Sequence, residues 1–118
     1  VTWTADDGVM AGLRSWLVDQ GFVVLTDHYD SNHFGNQVVE LARPIAVRLV
    51  RDRSEWEVFI AGSDGAWLPL DEWVKAITGT RVDVATASAR ADALRALLPE
   101  IERRAAGSDV RGPTVPPG

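Results

Sequence analysis

The sequence predicts an α+β fold: an N-terminal helix, an antiparallel meander of four to five strands, and C-terminal helices packed on one sheet face. Two observations carry this. Apolar residues recur at three- and four-residue steps before Gly21, give way to strand-length runs rich in β-branched and aromatic residues, and return to helical spacing after Asp71. The connections between the runs are only a few residues long, too short for the crossovers that parallel strands need.

The first element spans about residues 6–20, where Val9, Leu13, Trp16 and Leu17 mark one helical face, Asp6 or Asp7 is the expected cap and Gly21 the stop. Four strand segments follow, FVVLTDHYD, NQVVELA, IAVRLVRD and EWEVFIA, parted by turn formers such as Ser31-Asn32 and Arg43-Pro44. After the turn cluster Gly62-Ser63-Asp64-Gly65, AWLPL supplies a short fifth strand or an extended connector. Asp71 is the expected cap of a short helix carrying Trp73, Val74 and Ile77 and ending at Gly79. The last helix covers about residues 85–105, with Ala87, Ala91, Leu94, Leu97, Leu98 and Ile101 on one face. Pro99 removes a helical hydrogen bond and crowds the preceding turn, so a kink near Leu98 or a restart at Pro99 is expected. One domain over residues 1–106 and a disordered tail over residues 107–118, GSDVRGPTVPPG, complete the expected organisation.

Side-chain parity fixes the register of the central hairpin. A loop at Arg53-Ser54 pairs Asp52 with Glu55, Arg51 with Trp56, Leu49 with Val58 and Val47 with Ile60. Val47, Leu49, Trp56, Val58 and Ile60 then share the core face, while Arg48, Val50, Glu57 and Phe59 alternate on the other. The charged knot Arg51-Asp52-Arg53-Ser54-Glu55 reads as a solvated hairpin tip, because exposed ion pairs of this kind are common.

Composition narrows the function. The 118 residues suffice for one core without staples, and the absence of cysteine excludes disulfides, thiolate metal sites and thiol nucleophiles. The absence of cysteine is compatible with a reducing cytoplasm, the favoured compartment, and no apolar run approaches the roughly 20 residues needed to cross a bilayer, so no membrane contact is expected. The net charge of −5 is concentrated toward the N-terminus, where Asp6, Asp7, Asp19, Asp27, Asp30 and Glu40 face only Arg14 and Arg43 over residues 1–43. Such a surface repels phosphate backbones and attracts basic partners: no nucleic acid is expected to bind, and a basic protein is.

The densest polar stretch is TDHYDSNHF, which holds both histidines, His28 and His33, with Asp27, Tyr29 and Asp30. Histidine beside carboxylate permits zinc binding or acid–base chemistry, but two histidines across a hairpin turn lack a further aimed ligand. The stretch reads as a plain polar turn, with a partner-binding loop as the functional alternative and a metal or catalytic role behind both. Among the tryptophans, Trp16, Trp56 and Trp73 occupy core positions, while Trp3 and Trp67 are less constrained. Phe59, beside Val50 on the face away from the core, implies a second covering element or an adhesive surface. Paired acids at Asp6-Asp7 and Asp71-Glu72 fall at helix starts, which the helix dipole favours. No phosphate loop and no G-x-S-x-G elbow is present.

The succession LVDQGF, FGNQVVEL, VRLVRDRSEWEVFI and LDEWVKAITG resembles small immunity proteins of bacterial polymorphic-toxin systems, over about residues 10–80. The resemblance implies a protein without catalytic, cofactor or metal residues that covers the active site of a cognate toxin, typically a basic nuclease or an NAD-consuming enzyme. It supplies no contact residue by motif. The residues themselves nominate Asp27, His28, Tyr29, Asp30, His33, Glu57 and Phe59 as the partner-binding surface. A secretion-chaperone-like module is the alternative binding protein, and a small hydrolase using His28, His33 and Asp30 is the alternative from another class.

Overall fold

The computed structural model describes residues 4–30, 36–43, 45–52, 55–62, 65–79 and 86–105. Helix α1 (Ala5–Asp19) leads into strands β1 (Val23–Asp30), β2 (Asn36–Ala42), β3 (Ala46–Asp52), β4 (Glu55–Ala61) and β5 (Trp67–Pro69), followed by helices α2 (Leu70–Thr78) and α3 (Ala87–Ala105). The strands form one antiparallel sheet in the order β1-β2-β3-β4-β5. The expected α+β meander is therefore the fold. The 107–118 tail and Trp3 lie outside the described residues.

Local chemistry explains the limits of the elements and corrects several expectations. Thr4, not Asp6 or Asp7, is the N-cap of α1. Its hydroxyl accepts from the Asp7 N–H at 3.2 Å while Asp7 Oδ2 accepts from the Thr4 N–H at 2.8 Å, a reciprocal capping box that places Asp7 three residues inside the cap. At the other end Gly21 takes φ 103°, which lets Phe22 N–H reach the Leu17 carbonyl and Gly21 N–H the Val18 carbonyl, both at 3.0 Å. That is a Schellman closure, and the residues it brackets, Leu17 and Phe22, are both core.

Helix α2 starts at Leu70 with Pro69 at the cap position, so Asp71 sits in the first turn instead of capping it. Proline pre-sets an extended entry, and Asp71 and Glu72 serve the helix dipole. Helix α3 is capped by Thr86, whose hydroxyl accepts from the Ala89 N–H at 3.0 Å, and begins two residues later than the apolar spacing suggests. It does not restart at Pro99: the helix is continuous through it. Pro99 lies on the exposed face, where water is available to the carbonyl that proline leaves without a helical donor.

The β3–β4 register has the expected pairs, Asp52 with Glu55 through Val47 with Ile60. Val39, Leu41, Val47, Leu49, Trp56, Val58 and Ile60 face the helices and are buried with Met10, Leu13, Leu17, Leu94, Leu98 and Ile101 in one core. Trp16 and Trp73, expected in the core, are half-buried and pack against it. Gly62 permits a close approach: a Cβ there would stand 2.8 Å from the Ala105 carbonyl oxygen and 3.1 Å from its Cα. The end of α3 is thereby seated on the exit of β4. Among the described residues, no helix is long and apolar enough to cross a membrane.

Candidate functional site

The register divides the nominated partner-binding residues between surfaces. In β1, Asp27 and Tyr29 lie opposite Val39 and Gln37 on the helix side of the sheet, whereas His28 lies opposite Val38 on the other side. Glu57 and Phe59 lie opposite Val50 and Arg48, on the same open side as His28. Asp30 ends β1 opposite Asn36. His33 lies outside the described residues. TDHYD is thus an edge strand with chemically different faces, not a turn.

On the helix side, a cleft of about 240 Å³ opens between α1 and the β1–β4 sheet. Val39, Leu49 and Trp56 form its floor, Met10 and Ala11 its helical wall, and Arg14, Tyr29 and Gln37 its polar margin. The floor contains an ion pair that the reading of Arg51 as part of a solvated turn missed. Arg51 is 3% exposed and Asp7 6%. Arg51 Nε stands 3.1 Å from Asp7 Oδ1, to which Trp56 Nε1 donates at 2.8 Å. Burial opposes ionisation of Asp7, but the Thr4 backbone N–H, the Trp56 indole, the Arg51 guanidinium and the Thr4 hydroxyl together hold its carboxyl below the ordinary aspartate range. The signal lay in the parity: pairing Arg51 with Trp56 already assigned Arg51 to the core face.

At the margin, Asp27 accepts from Gln37 Nε2 at 2.8 Å and from Arg14 Nη1 at 2.7 Å. The Gln37 bond, then the Arg14 bond and charge, lower the Asp27 carboxyl against a partial burial penalty. Asp27 therefore ties β1 to α1 and β2. Tyr29 beside it is 48% exposed, and farther along β1 Leu25 is 56% and Val23 62% exposed.

The open side is a half-buried sheet face. Val38, Val50 and Phe59 lie along it, bordered by two ion pairs. Arg48 reaches Glu40 at 3.1 Å and stacks 3.9 Å above the Trp67 ring, so its partner is Glu40 and not its diagonal neighbour Glu57. Glu57 instead meets Arg90 of α3 at 3.2 Å, and Arg90 also donates to the Trp56 carbonyl at 2.8 Å. Trp67 thus has a defined stacking role that sequence spacing left open. Among the described residues, no cluster of three or more His, Asp or Glu side chains is placed to hold a metal ion.

No family model matches the chain, and neither the curated proteins nor the solved structures contain a match to it.

Proposed function

We propose that this chain is a binding protein that neutralises a basic protein partner, in the manner of an immunity protein covering the active site of a cognate toxin. The observation that carries the reading is that acidic charge and uncovered apolar surface occur together on α1 and β1. α1 exposes Asp6 and Asp19, and β1 exposes Asp27 beside Arg14, within a segment, residues 1–43, that carries six acids against two arginines. The same two elements expose Val18, Val23, Leu25 and Tyr29. Acidic charge steers a basic partner and raises its rate of encounter, while apolar side chains supply the contact that persists after docking. The cytoplasm is the compartment in which such an inhibitor would meet a toxin.

The test is co-expression of this chain with the product of the adjacent reading frame in a growth assay, followed by a binding titration of the purified pair at several ionic strengths. A protected culture and a one-to-one complex whose association slows as salt rises are the expected results. A neighbouring product that is harmless and does not bind overturns the reading.

A further inference from the structure

The cleft between α1 and the sheet differs in chemistry between its floor and its mouth. Val39 and Leu49 lie at the floor beside the Trp56 ring, with Met10 of α1 as the adjoining wall. The indole is pinned, because its Nε1 donates to Asp7 Oδ1 at 2.8 Å. Each charged side chain of the lining has a counter-charge: Arg51 stands 3.1 Å from Asp7, and Arg14 2.7 Å from Asp27. At the mouth, Gln37 commits its Nε2 to Asp27 and brings its carbonyl oxygen as an acceptor, while the Tyr29 side chain is 48% exposed.

We infer that this cleft is a binding site for a small, uncharged, single-ring aromatic molecule of the phenol class. Volume sets the size. At about 240 Å³ the cleft exceeds the roughly 150 Å³ that suffices for a benzene ring and falls short of the roughly 300 Å³ at which pockets for drug-sized ligands begin. Charge sets the ionic state. A further anion or cation on this floor would be desolvated with no counter-charge left to meet it, since Asp7 and Arg51, like Asp27 and Arg14, already answer each other. The walls select a ring over an aliphatic chain: the Met10 sulfur favours an aromatic edge, and Trp56 and Tyr29 offer offset or edge-to-face contacts. A ring hydroxyl at the mouth would donate to the Gln37 carbonyl oxygen or exchange a hydrogen bond with the Tyr29 hydroxyl. This site is independent of the proposed inhibitor function, which uses the outer surfaces of α1 and β1.

The test titrates para-cresol into the whole chain and follows the methyl signal of Met10, the single methionine, together with the backbone amides. Benzoate and benzylammonium supply the ring with either charge, and cyclohexanol supplies the hydroxyl on an aliphatic ring. Two variants add the same bulk at exposed helical positions, Ala11→Trp at the wall of the cleft and Ala76→Trp on α2. Thermal melts establish that each is folded, and if Ala11→Trp is not, the four ligands on the wild-type chain decide alone. The expected result is saturable shifts of Met10, Val39, Leu49 and Trp56 at millimolar para-cresol, weaker with cyclohexanol. Affinity should be at least about tenfold lower for the charged analogues and for para-cresol in Ala11→Trp, and unchanged in Ala76→Trp. No saturation with para-cresol, equal affinity for a charged or aliphatic analogue, equal weakening in both variants, or shifts on Val38, Val50 and Phe59 instead overturns the inference. If para-cresol fails to bind while Ala11→Trp loses binding to the product of the adjacent reading frame, the inference is likewise overturned and the cleft belongs to a side chain of that partner.

Discussion

Trp56 Nε1 donates to Asp7 Oδ1 at 2.8 Å, joining the second strand of the central hairpin to the first turn of α1 across 49 positions of sequence. The same oxygen lies 3.1 Å from Arg51 Nε on the neighbouring strand. One carboxylate thus closes the capping box, satisfies a buried indole and neutralises a buried guanidinium. Each role accounts for a polar group that burial would otherwise leave costly.

Truncation of Trp56 tests this arrangement. Trp56→Ala is expected to destabilise the domain by about 3–5 kcal/mol through the lost packing at the cleft floor. Trp56→Phe keeps most of the apolar contact but loses the donor, and is expected to cost about 1–3 kcal/mol. Denaturant titration reads both. A cost below about 1 kcal/mol for the alanine variant contradicts the burial.

Arg51→Met removes the cation and leaves the buried carboxylate without its charge partner, which is expected to cost about 3–5 kcal/mol. Combining Arg51→Met with Asp7→Asn removes both charges, so the double variant should lose less than the sum of the two single losses. A double-mutant cycle that sums to zero coupling refutes the ion pair.

Acid titration gives an independent measurement. The folded-state carboxyl of Asp7 is held below its unfolded value, so the unfolded chain binds a proton more readily. The stabilisation is therefore complete above the unfolded value, near pH 4, and is lost as the pH falls through the lower folded value. Asp27 acts with the same sign, screened by its greater exposure. The expected result is that wild-type stability falls as the pH drops below about 4, and that Asp7→Asn flattens this limb of the profile. An unchanged slope in the variant contradicts the assignment.

How much of this was legible beforehand follows from the length scale of each signal. The β3–β4 register was readable because strand parity and a short loop fix it locally, and Val47, Leu49, Val58 and Ile60 stand where parity puts them. The same parity placed Arg51 inward, but its charge argued for solvent. The partner that reverses that argument is Asp7, on an element far away in sequence. The caps show the converse. Asp6-Asp7 and Asp71 looked like caps by residue type, yet Thr4 provides one and Pro69 occupies the other position, since capping depends on where the backbone leaves the extended region. The candidate site was legible as a set of residues and not as a surface. Asp27 and Tyr29 face α1, while His28 faces away, because TDHYD is strand and adjacent residues alternate.

Gly62 supplies a test of the seam between sheet and helix. The backbone of Ala105 lies where a β-carbon would go, and Ala105 is itself buried, so the obstruction is main chain and not a side chain that can rotate away. Gly62→Ala should push the last turn of α3 off the exit of β4 and cost about 1–3 kcal/mol, the usual consequence of overfilling a packed site. Gly65, with open space around its β-carbon position but φ 78°, is the control that separates backbone strain from crowding. Gly65→Ala should cost no more than about 1–2 kcal/mol and leave α3 undisturbed. Denaturant titration with amide exchange along residues 101–105 distinguishes them: exchange near Ala105 should accelerate in the Gly62 variant only. Equal acceleration in both variants would show that α3 is not seated through this contact.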